Sequence, residues 1–348
     1  MARDGSELDP AHLGPEAVER YLRQHRLAAR KSLSQNHLAD GLILERIIEV
    51  ADVTPGERLV EVGPGVGILT AQLLDAGAEV TAVELDRRLA EHLRTRFEDE
   101  DRLTLVEGDF LDVEVAEVAT DPWALVANVP YHITSPILHH VLGADPRPTR
   151  FVMMVQREVA ERIASPPGGM SYLSVFVQYH AAVEVAFTVP AAAFEPAPEV
   201  DSAILTGTTR ERRLGEDDED ELWRLVQAGF RERRKMIHNV LARQLPGLDR
   251  ERVEAGLAAC RIEPDRRPQT LSVDEWMALR EALSPLPRVG SRPTPTPRST
   301  SRSRSPAPAT TAITSCARCS CFWPCMTAWR SSSIPGLRRT TWRSKASR

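Results

Sequence analysis

The sequence has few aromatic residues, few cysteines and no long apolar run. Aromatic side chains make up 5% of its 348 residues, and only Cys260 of its five cysteines precedes residue 286. These features exclude a disulfide framework before residue 286 and favour a reducing compartment. No apolar stretch reaches the roughly 18 residues that span a bilayer. Charged residues also stand where a secretory signal would have its apolar centre. We therefore expect a cytoplasmic protein that makes no membrane contact.

A surplus of positive charge is also missing. The chain has 44 Lys and Arg against 49 Asp and Glu, a formal net charge of −5. Twelve of the basic residues and none of the acidic ones lie in residues 286–348, so residues 1–285 have a net charge of −17. This balance argues against nucleic-acid binding through bulk charge, and any such binding must use a local basic patch.

Short apolar runs alternate with helical patterns between residues 58 and 208. Seven strands are predicted, at Arg58–Val62, Glu79–Glu84, Leu103–Glu107, Trp123–Asn128, Thr149–Gln156, Val183–Val189 and Ser202–Thr208. Helices are predicted at Pro15–Lys31, Leu38–Val50, Gly67–Ala76, Arg87–Glu98, Val113–Val118, Ser135–Leu142, Arg157–Ala164 and Tyr172–His180. Such alternation is typical of an α/β protein with a parallel, Rossmann-like sheet flanked by helices.

The pattern changes after the acidic run at residues 216–221. Only helices are predicted beyond it, at Leu222–Phe230, Arg233–Gln244, Arg250–Ala259 and Val273–Leu283. We therefore divide the chain into a flexible segment (1–14), an α/β catalytic domain (15–210), a small all-α domain (211–285) and a disordered tail (286–348).

The tail is rich in Ser, Thr, Arg, Pro and Ala and cannot bury enough apolar area to fold. Its four cysteines lack a second, separated ligand pair, so no metal is expected. Our hypothesis is that the tail is an out-of-frame or extended translation.

A glycine-rich turn follows the first of the seven strands. In Leu59–Thr70 (LVEVGPGVGILT), an apolar strand leads into Gly63 and Gly65, and a helix then begins. Glycines let the backbone approach a ligand closely, and the N–H groups of a helix N-terminus point towards it. The turn alone is a weak signal, because dinucleotide dehydrogenases use a related one.

Acidic residues end the next two strands. Glu84 comes 21 residues after Gly63 and can accept hydrogen bonds from both hydroxyls of a ribose, which excludes a ligand with a 2′-phosphate. Asp109 follows the third strand and can accept a hydrogen bond from an adenine amino group. These residues fit NAD, FAD and S-adenosylmethionine about equally well.

The fourth strand ends in Asn128-Val129-Pro130-Tyr131. An exocyclic amine of a nucleobase is a poor nucleophile, because its lone pair is delocalised into the ring. The side-chain oxygen of Asn128 and the backbone oxygen of Val129, held extended by Pro130, can accept its hydrogens and favour a more tetrahedral nitrogen. Tyr131 offers a face on which a flipped-out base can stack. This motif favours methyl transfer to a base amine.

Four further segments complete a resemblance to a known family. They are Arg30–Leu38 (RKSLSQNHL), Phe194–Ser202 (FEPAPEVDS), Phe230–Leu241 and Arg266–Ser272. With the strand-end residues, they resemble the ribosomal RNA adenine dimethyltransferase family over roughly Arg30 to Leu283. His37 stands where the family usually has Phe. The resemblance implies a seven-stranded S-adenosylmethionine-dependent methyltransferase sheet followed by a small all-α domain.

The resemblance also implies roles for individual residues. Asn36 and Leu38 line the cofactor site beside Gly63, Gly65, Glu84, Asp109 and Asn128. Phe194 and Tyr131 sandwich the target adenine next to Val129 and Pro130. The basic residues Arg30, Lys31, Arg231, Arg233, Arg234 and Lys235 contact phosphates of a folded RNA hairpin, where backbone contacts dominate.

The helical segments favour the housekeeping branch of the family. Its members dimethylate N6 of two adjacent adenines in the 3′-terminal hairpin loop of 16S rRNA within the immature small ribosomal subunit. We expect a monomeric enzyme of this kind that needs no metal. One alternative is a 23S rRNA methyltransferase that confers macrolide resistance, although that branch usually has Phe where this chain has Tyr131. Others are an assembly factor that acts by binding the immature subunit, and a nicotinamide oxidoreductase, which leaves Asn128 to Tyr131 unexplained.

Overall fold

The computed structural model describes residues 8–27 and 35–286. The helices are α1 (Pro15–Gln24), α2 (Gly41–Ala51), α3 (Ile68–Asp75), α4 (Arg87–Arg96), α5 (Val115–Val118), α6 (Thr134–Gly143), α7 (Arg157–Ile163), α8 (Tyr172–His180), α9 (Glu216–Phe230), α10 (Ile237–Gln244), α11 (Arg250–Ala259) and α12 (Val273–Leu283). The strands are β1 (His37–Leu38), β2 (Arg58–Val62), β3 (Glu79–Glu84), β4 (Leu103–Glu107), β5 (Ala124–Asn128), β6 (Arg150–Gln156), β7 (Ala181–Val189), β8 (Phe194–Glu195) and β9 (Ser202–Thr209).

Seven strands form one sheet in the order β4-β3-β2-β5-β6-β9-β7. Neighbouring strands are parallel except where β9 pairs with β6 and β7. The predicted seven-stranded α/β fold is therefore confirmed. Val62 lies opposite Val83 on β3 and Ala127 on β5. The ends of β2, β3 and β5 consequently meet at one edge, as the carboxyl ends of parallel strands do.

Apolar side chains cover both faces of the sheet. One face packs Leu59, Val80 and Ile204 against helices α1 to α3, which contribute Leu44 and Leu73. The other packs a second set, including Leu125, Phe151 and Leu205, against α6 to α8. Burial on both faces explains why the strands read as nearly continuous apolar runs.

The last four helices, α9 to α12, enclose an apolar cluster of their own. Leu225, Ile237, Leu257 and Leu279 are fully buried there around the indole of Trp276. Residues 216–219 form the first turn of α9, so the acidic run lies at the positive end of its helix dipole. The boundary at residue 210 stays a prediction, because Met170 and Tyr179, which precede it, also belong to this cluster.

Several predicted boundaries are shifted. Helix α2 begins at Gly41 instead of Leu38, because the Asp40 side chain accepts a hydrogen bond from the Ile43 N–H (3.1 Å) and caps it. Leu38 instead pairs with Phe194 in the short β1–β8 ladder, which was not predicted. Helix α10 begins at Ile237 instead of Arg233, because the Ile237 N–H donates to the Arg266 carbonyl (2.7 Å).

The ends of the described chain also bear on the predictions. Residues 8–14, expected to be flexible, include a short 3-10 helix at Pro10–His12, and Leu8 is buried in the core. A defined conformation is maintained there because the Asp9 side chain accepts a hydrogen bond from the Ala11 N–H (2.9 Å). The tail lies outside the described residues apart from Leu286, as do its four cysteines. Within residues 8–27 and 35–286, no helix is long and apolar enough to cross a membrane.

His180 gives the folded protein a pH dependence that can be measured. Its ring is 3% exposed among Phe176, Tyr179 and Trp223, and burial lowers its pKa from 6.5 to about 3. Below pH 6.5 the unfolded chain therefore binds a proton that the folded chain does not, and stability falls. We expect His180 to cost about 1.4 kcal/mol at pH 5.5 relative to high pH.

Urea unfolding at pH 7.5 and pH 5.5 tests this expectation. The variant His180→Phe should lose less stability between the two pH values than the unsubstituted protein, by about 1.4 kcal/mol. Substituting the exposed His12 with Gln is the matched control and should leave the pH dependence unchanged. Equal pH dependence in His180→Phe and the unsubstituted protein would contradict the expectation.

Candidate active site

A cleft lies at the edge of the sheet where β2, β3, β4 and β5 end. Its wall contains the glycine turn after β2 and the polar residues that follow the other strands. Every described residue that the sequence analysis assigned to cofactor or base lines it: Asn36, Leu38, Gly63, Gly65, Glu84, Asp109, Asn128, Val129, Pro130, Tyr131 and Phe194. The structure thus brings together residues that are separated by up to 158 positions in the chain.

The glycine turn has a backbone conformation that side chains disfavour. Gly63, Gly65 and Gly67 have φ angles of 70°, 61° and 82°, in the left-handed region that glycine adopts without strain. A Cβ atom on Gly65 would lie 3.1 Å from Nδ1 of His37. The left-handed backbone of the turn and the crowding at Gly65 explain why glycine occupies these positions.

Backbone N–H groups fix the carboxylate of Glu84. Its Oε2 accepts a hydrogen bond from the Gly65 N–H (3.1 Å), and its Oε1 accepts one from the Asp86 N–H (2.7 Å). Burial raises the pKa of Glu84, while these two hydrogen bonds act in the opposite direction. Each oxygen retains a lone pair, so the carboxylate is positioned to accept further hydrogen bonds.

Asp86 is held in turn by two side chains. Its carboxylate accepts hydrogen bonds from Arg88 (2.9 Å) and from Gln35 (3.4 Å), the residue before Asn36. This contact ties the segment that carries Asn36 and Leu38 to the end of β3. Gln35 and Asp86 were not among the predicted site residues.

The end of β5 approaches the glycine turn. A Cβ atom on Gly63 would lie 3.8 Å from the backbone oxygen of Asn128. The side chain of Val129 is buried, while Asn128, Pro130 and Tyr131 are partly exposed along the cleft. The Tyr131 hydroxyl hydrogen-bonds to Oγ of Ser202 (2.7 Å), at the start of β9. This contact links the N-x-P-Y motif to the last residue of the Phe194–Ser202 motif.

Phe194 and His37 both belong to the β1–β8 ladder. Phe194 lies opposite Leu38, and its ring is 2% exposed within the core. The sandwich of an adenine between Phe194 and Tyr131 stays a prediction, since Phe194 lines the cleft but offers it little surface. The buried ring of His37 occupies the position that Phe usually has, and burial lowers its pKa to about 4. It therefore serves there as a neutral packing residue.

The opposite end of the cleft combines a polar and an apolar group. Asp109 caps the short helix Phe110–Asp112, since its Oδ1 accepts a hydrogen bond from the Leu111 N–H (3.0 Å). Leu85, directly after Glu84, lines the same cleft and is 54% exposed. An exposed leucine beside a carboxylate suits the flat face of a purine. Leu85 was not predicted as a site residue, because a leucine has no polar chemistry that marks a site in the sequence.

The basic residues assigned to RNA are exposed where the structure describes them. Arg231 to Lys235 lie on the turn between α9 and α10. Arg231 donates a hydrogen bond to Gln244 (3.0 Å), whereas Arg233, Arg234 and Lys235 make no ion pair with any described residue. These three charges are therefore available to phosphates. Arg30 and Lys31 lie outside the described residues.

A family model matches this chain and shows to which family it belongs. The model for ribosomal RNA adenine dimethylases matches residues 26–283. The chain belongs to the ribosomal RNA adenine dimethylase family. It is 40% identical over 272 residues to the ribosomal RNA small subunit methyltransferase A of Geobacter metallireducens, covering 76% of this chain and 99% of that protein. The protein of the same name from Synechococcus sp. is 42% identical over 265 residues, 73% of this chain and 92% of that one.

Solved structures of similar fold agree with the family. The 23S rRNA methyltransferase ErmE is 32% identical with a TM-score of 0.59, over 71% of this chain and 99% of that one. A dimethyladenosine transferase from Plasmodium falciparum is 24% identical with a TM-score of 0.60, over 70% and 95%. The second likeness supports the fold alone. The protein is therefore an S-adenosylmethionine-dependent adenine dimethylase, as the sequence predicted.

The site fits the cofactor that this family uses. S-adenosylmethionine supplies an electrophilic methyl group on a sulfonium. The glycine turn is left-handed and crowded at Gly65, and the fixed carboxylate of Glu84 suits a ribose. Asp109 and Leu85 together suit an adenine. No group of three His, Cys, Asp or Glu side chains in residues 8–27 and 35–286 is arranged to hold a metal ion.

Tyr131 offers a test of base stacking in this dimethylase. Tyr131→Ala removes the ring, and a stacked base contributes about 1–3 kcal/mol, so we expect methylation at low RNA concentration to fall about 10- to 100-fold. Tyr131→Phe removes only the hydroxyl that contacts Ser202 and should retain most activity. The measurement is kcat/KM for RNA under saturating cofactor. Unchanged kcat/KM in Tyr131→Ala would exclude the stacking role.

Proposed function

We propose that this dimethylase methylates N6 of two adjacent adenines in the 3′-terminal hairpin loop of 16S rRNA, within the immature small ribosomal subunit. The observation that carries the proposal is the likeness to ribosomal RNA small subunit methyltransferases A over almost their whole length, 99% for the Geobacter metallireducens protein. That match includes most of the helices after β9. Arg233, Arg234 and Lys235 on the α9–α10 turn, which make no ion pair within the part of the chain that the structure describes, supply a basic patch for the RNA backbone.

The proposed chemistry is direct transfer of the methyl group to the adenine nitrogen, repeated once on each base. Oδ1 of Asn128 and the backbone oxygen of Val129 accept hydrogen bonds from the adenine amine and orient its lone pair towards the methyl carbon. Tyr131 holds the flipped-out base by stacking. Alignment and exclusion of water in the cleft reduce the barrier. The nitrogen loses a proton to solvent after each transfer, so no side chain is assigned as a general base.

Methylation of 23S rRNA is the second candidate function. The fold and 32% identity shared with ErmE favour it. Tyr131 distinguishes the two candidates, because the resistance branch usually has Phe at this position, and Phe cannot form the hydrogen bond to Ser202. We therefore place small-subunit RNA first.

Two further proposals concern the partner and the domains. We propose that the protein acts as a monomer on the immature subunit and that residues 211–285 form an RNA-binding domain, in which Arg231, Arg233, Arg234 and Lys235 contact phosphates. Arg30 and Lys31, which lie outside the described residues, are proposed to contact phosphates as well. Reversing Arg233 and Arg234 to Glu should weaken subunit binding and reduce its dependence on salt concentration.

Substrate choice tests the proposed function directly. Purified protein and labelled S-adenosylmethionine are incubated with immature small subunits, mature small subunits and large-subunit RNA from a strain that lacks endogenous dimethylation. We expect label on two adjacent adenines of 16S rRNA in immature subunits. Label confined to 23S rRNA would establish the second candidate instead. A methylation-inactive variant that still restores subunit maturation in the strain would show that binding carries the essential role.

A further inference from the structure

A buried carboxyl group that the mechanism does not use lies at the centre of the cofactor cleft. Glu61 is 1% exposed, near the end of strand β2, and it lines the cleft. Its Oε2 accepts a hydrogen bond from the Thr70 hydroxyl on α3 (2.7 Å), while Oε1 accepts none from any described residue. A buried carboxylate is costly unless it is paired with a cation.

The surroundings of Glu61 offer no such cation in the part of the chain that the structure describes. In register beside it stand Ala82 on β3 and Val126 on β5. The ionisable groups that line the same cleft are Glu84, His37, Asp109, His132 and Tyr131, and no Lys or Arg is among its described lining residues. Burial, with a smaller contribution from the nearby Glu84, raises the pKa of Glu61 to about 8. His37 is neutral at the same pH, since its pKa is about 4.

Strand order determines what must lie above Glu61 when the cofactor is bound. Glu84 ends β3 and Asn128 ends β5, and β2 runs between them. A molecule that places its ribose at Glu84 and its reacting methyl group near Asn128 has to cross the end of β2. Gly63 is two residues beyond Glu61, which corresponds to about 7 Å along a strand. We take about this distance as the separation between Glu61 and the sulfonium, which connects ribose and methyl group.

We propose that Glu61 is the residue by which the cleft distinguishes the sulfonium cofactor from its neutral product, because its carboxyl group releases its proton to solvent when the sulfonium arrives. The step balances as carboxylic acid to carboxylate plus a solvated proton. After methyl transfer the product, S-adenosylhomocysteine, has an uncharged sulfur. The carboxylate of Glu61 then has no sulfonium to compensate it and takes up a proton again, which weakens product binding relative to cofactor binding. The ammonium and carboxylate of the amino-acid part are the same in both ligands, so the sulfonium is the charge by which they differ.

The size of the effect follows from the distance. A unit positive charge about 7 Å away, at an effective dielectric constant of about 20, favours the ionised form roughly 50-fold. With a pKa of about 8 without the sulfonium, binding at pH 7 should release about 0.7 proton from Glu61. The same linkage favours S-adenosylmethionine over S-adenosylhomocysteine about fivefold at pH 7 and about 25-fold at pH 8.

The variant Glu61→Gln isolates this effect, because its amide oxygen can still accept the hydrogen bond from Thr70. Titration calorimetry in buffers of different ionisation enthalpy measures the protons released by each ligand. We expect Glu61→Gln to release about 0.7 proton fewer with S-adenosylmethionine at pH 7, and no fewer with S-adenosylhomocysteine. Comparing the two proteins removes proton exchange by the ligands themselves and by Glu84.

The ratio of the two dissociation constants gives an independent readout. Preference for S-adenosylmethionine should fall in Glu61→Gln about fivefold at pH 7 and about 25-fold at pH 8, with almost no change at pH 6. A merely structural role would weaken both ligands alike without this pH dependence. Equal proton release and equal ratios in the two proteins would overturn the proposal.

An infrared measurement on the unsubstituted protein covers the case in which Glu61→Gln does not fold. Adding S-adenosylmethionine should remove a protonated-carboxyl band that S-adenosylhomocysteine leaves in place. Thr70→Val removes the donor to Oε2 and should shift the frequency of that band if Glu61 carries the proton. A spectrum without such a loss, or a band unmoved by Thr70→Val, would contradict the proposal.

Discussion

Asn128→Ala should reduce the rate of methyl transfer about 100- to 1000-fold while changing the Kd for S-adenosylmethionine by only a few fold. Removing one positioned polar group that acts on the transition state has an effect of this size. Asn128 ends β5 beside the glycine turn and is partly exposed towards the cleft. Alanine leaves the strand and the turn in place but removes the acceptor for the adenine amine. The measurement is single-turnover methylation with saturating cofactor and RNA.

Two further variants sharpen the test of Asn128. Asn128→Gln keeps the carboxamide but displaces it by one methylene, and a misplacement of about 1 Å is enough to lose about 100-fold in rate. We therefore expect Asn128→Gln to be nearly as slow as Asn128→Ala. Gln72→Ala removes a carboxamide from α3, away from the cleft lining, and should be as active as the unsubstituted protein. Near-normal turnover in Asn128→Ala would remove Asn128 from the mechanism.

Glu84→Ala should weaken cofactor binding by about 100-fold or more. Hydrogen bonds to a charged group contribute about 1.5–3 kcal/mol each, and the Glu84 carboxylate is positioned for both ribose hydroxyls. Its loss also frees the N–H groups of Gly65 and Asp86, which it now holds at 3.1 Å and 2.7 Å. The glycine turn would therefore lose part of its support. Equilibrium titration with labelled S-adenosylmethionine measures the effect.

The hydrogen bonds of Glu84 also determine which controls are informative. Both of its oxygens accept hydrogen bonds from backbone N–H groups. In Glu84→Gln the amide NH2 would therefore face one of these N–H donors, and cofactor binding should be impaired as well. Glu79 begins the same strand, is exposed and lies at the far end from the cleft. Glu79→Ala should bind the cofactor normally. Cofactor affinity in Glu84→Ala equal to that of Glu79→Ala would contradict the assignment.

Elements with clear chemistry at their ends could be predicted from the sequence. The bounds of β2, β3 and β4 agree with the predicted ones, because these strands are short apolar runs bounded by turn residues. Helices α11 and α12 also begin where expected, since Asp249 and Ser272 cap their first turns. The polar residues after parallel strands converge in any such sheet. Glu84, Asp109 and Asn128 could therefore be assigned to one cleft before their distances were known.

Features that depend on distant contacts could not be predicted. The β1–β8 ladder has two residues per strand, too few to show a period, and it forms only when residues 37 and 195 meet. The start of α10 depends on the hydrogen bond from Ile237 to Arg266. In the sequence, Glu61 is a single acidic residue between apolar residues of a strand. Its importance appears only once the structure shows a buried carboxyl group facing the cleft with no described cation beside it.

A structure of the protein with S-adenosylhomocysteine and an RNA hairpin that contains the target adenines tests the central claim most directly. We expect N6 of the flipped adenine to lie about 3 Å from both Oδ1 of Asn128 and the backbone oxygen of Val129. The product sulfur should lie on the opposite side of that nitrogen, above the end of β2. An Asn128 side chain turned away from the base, or an adenine held elsewhere with its N6 pointing to solvent, would contradict the claim.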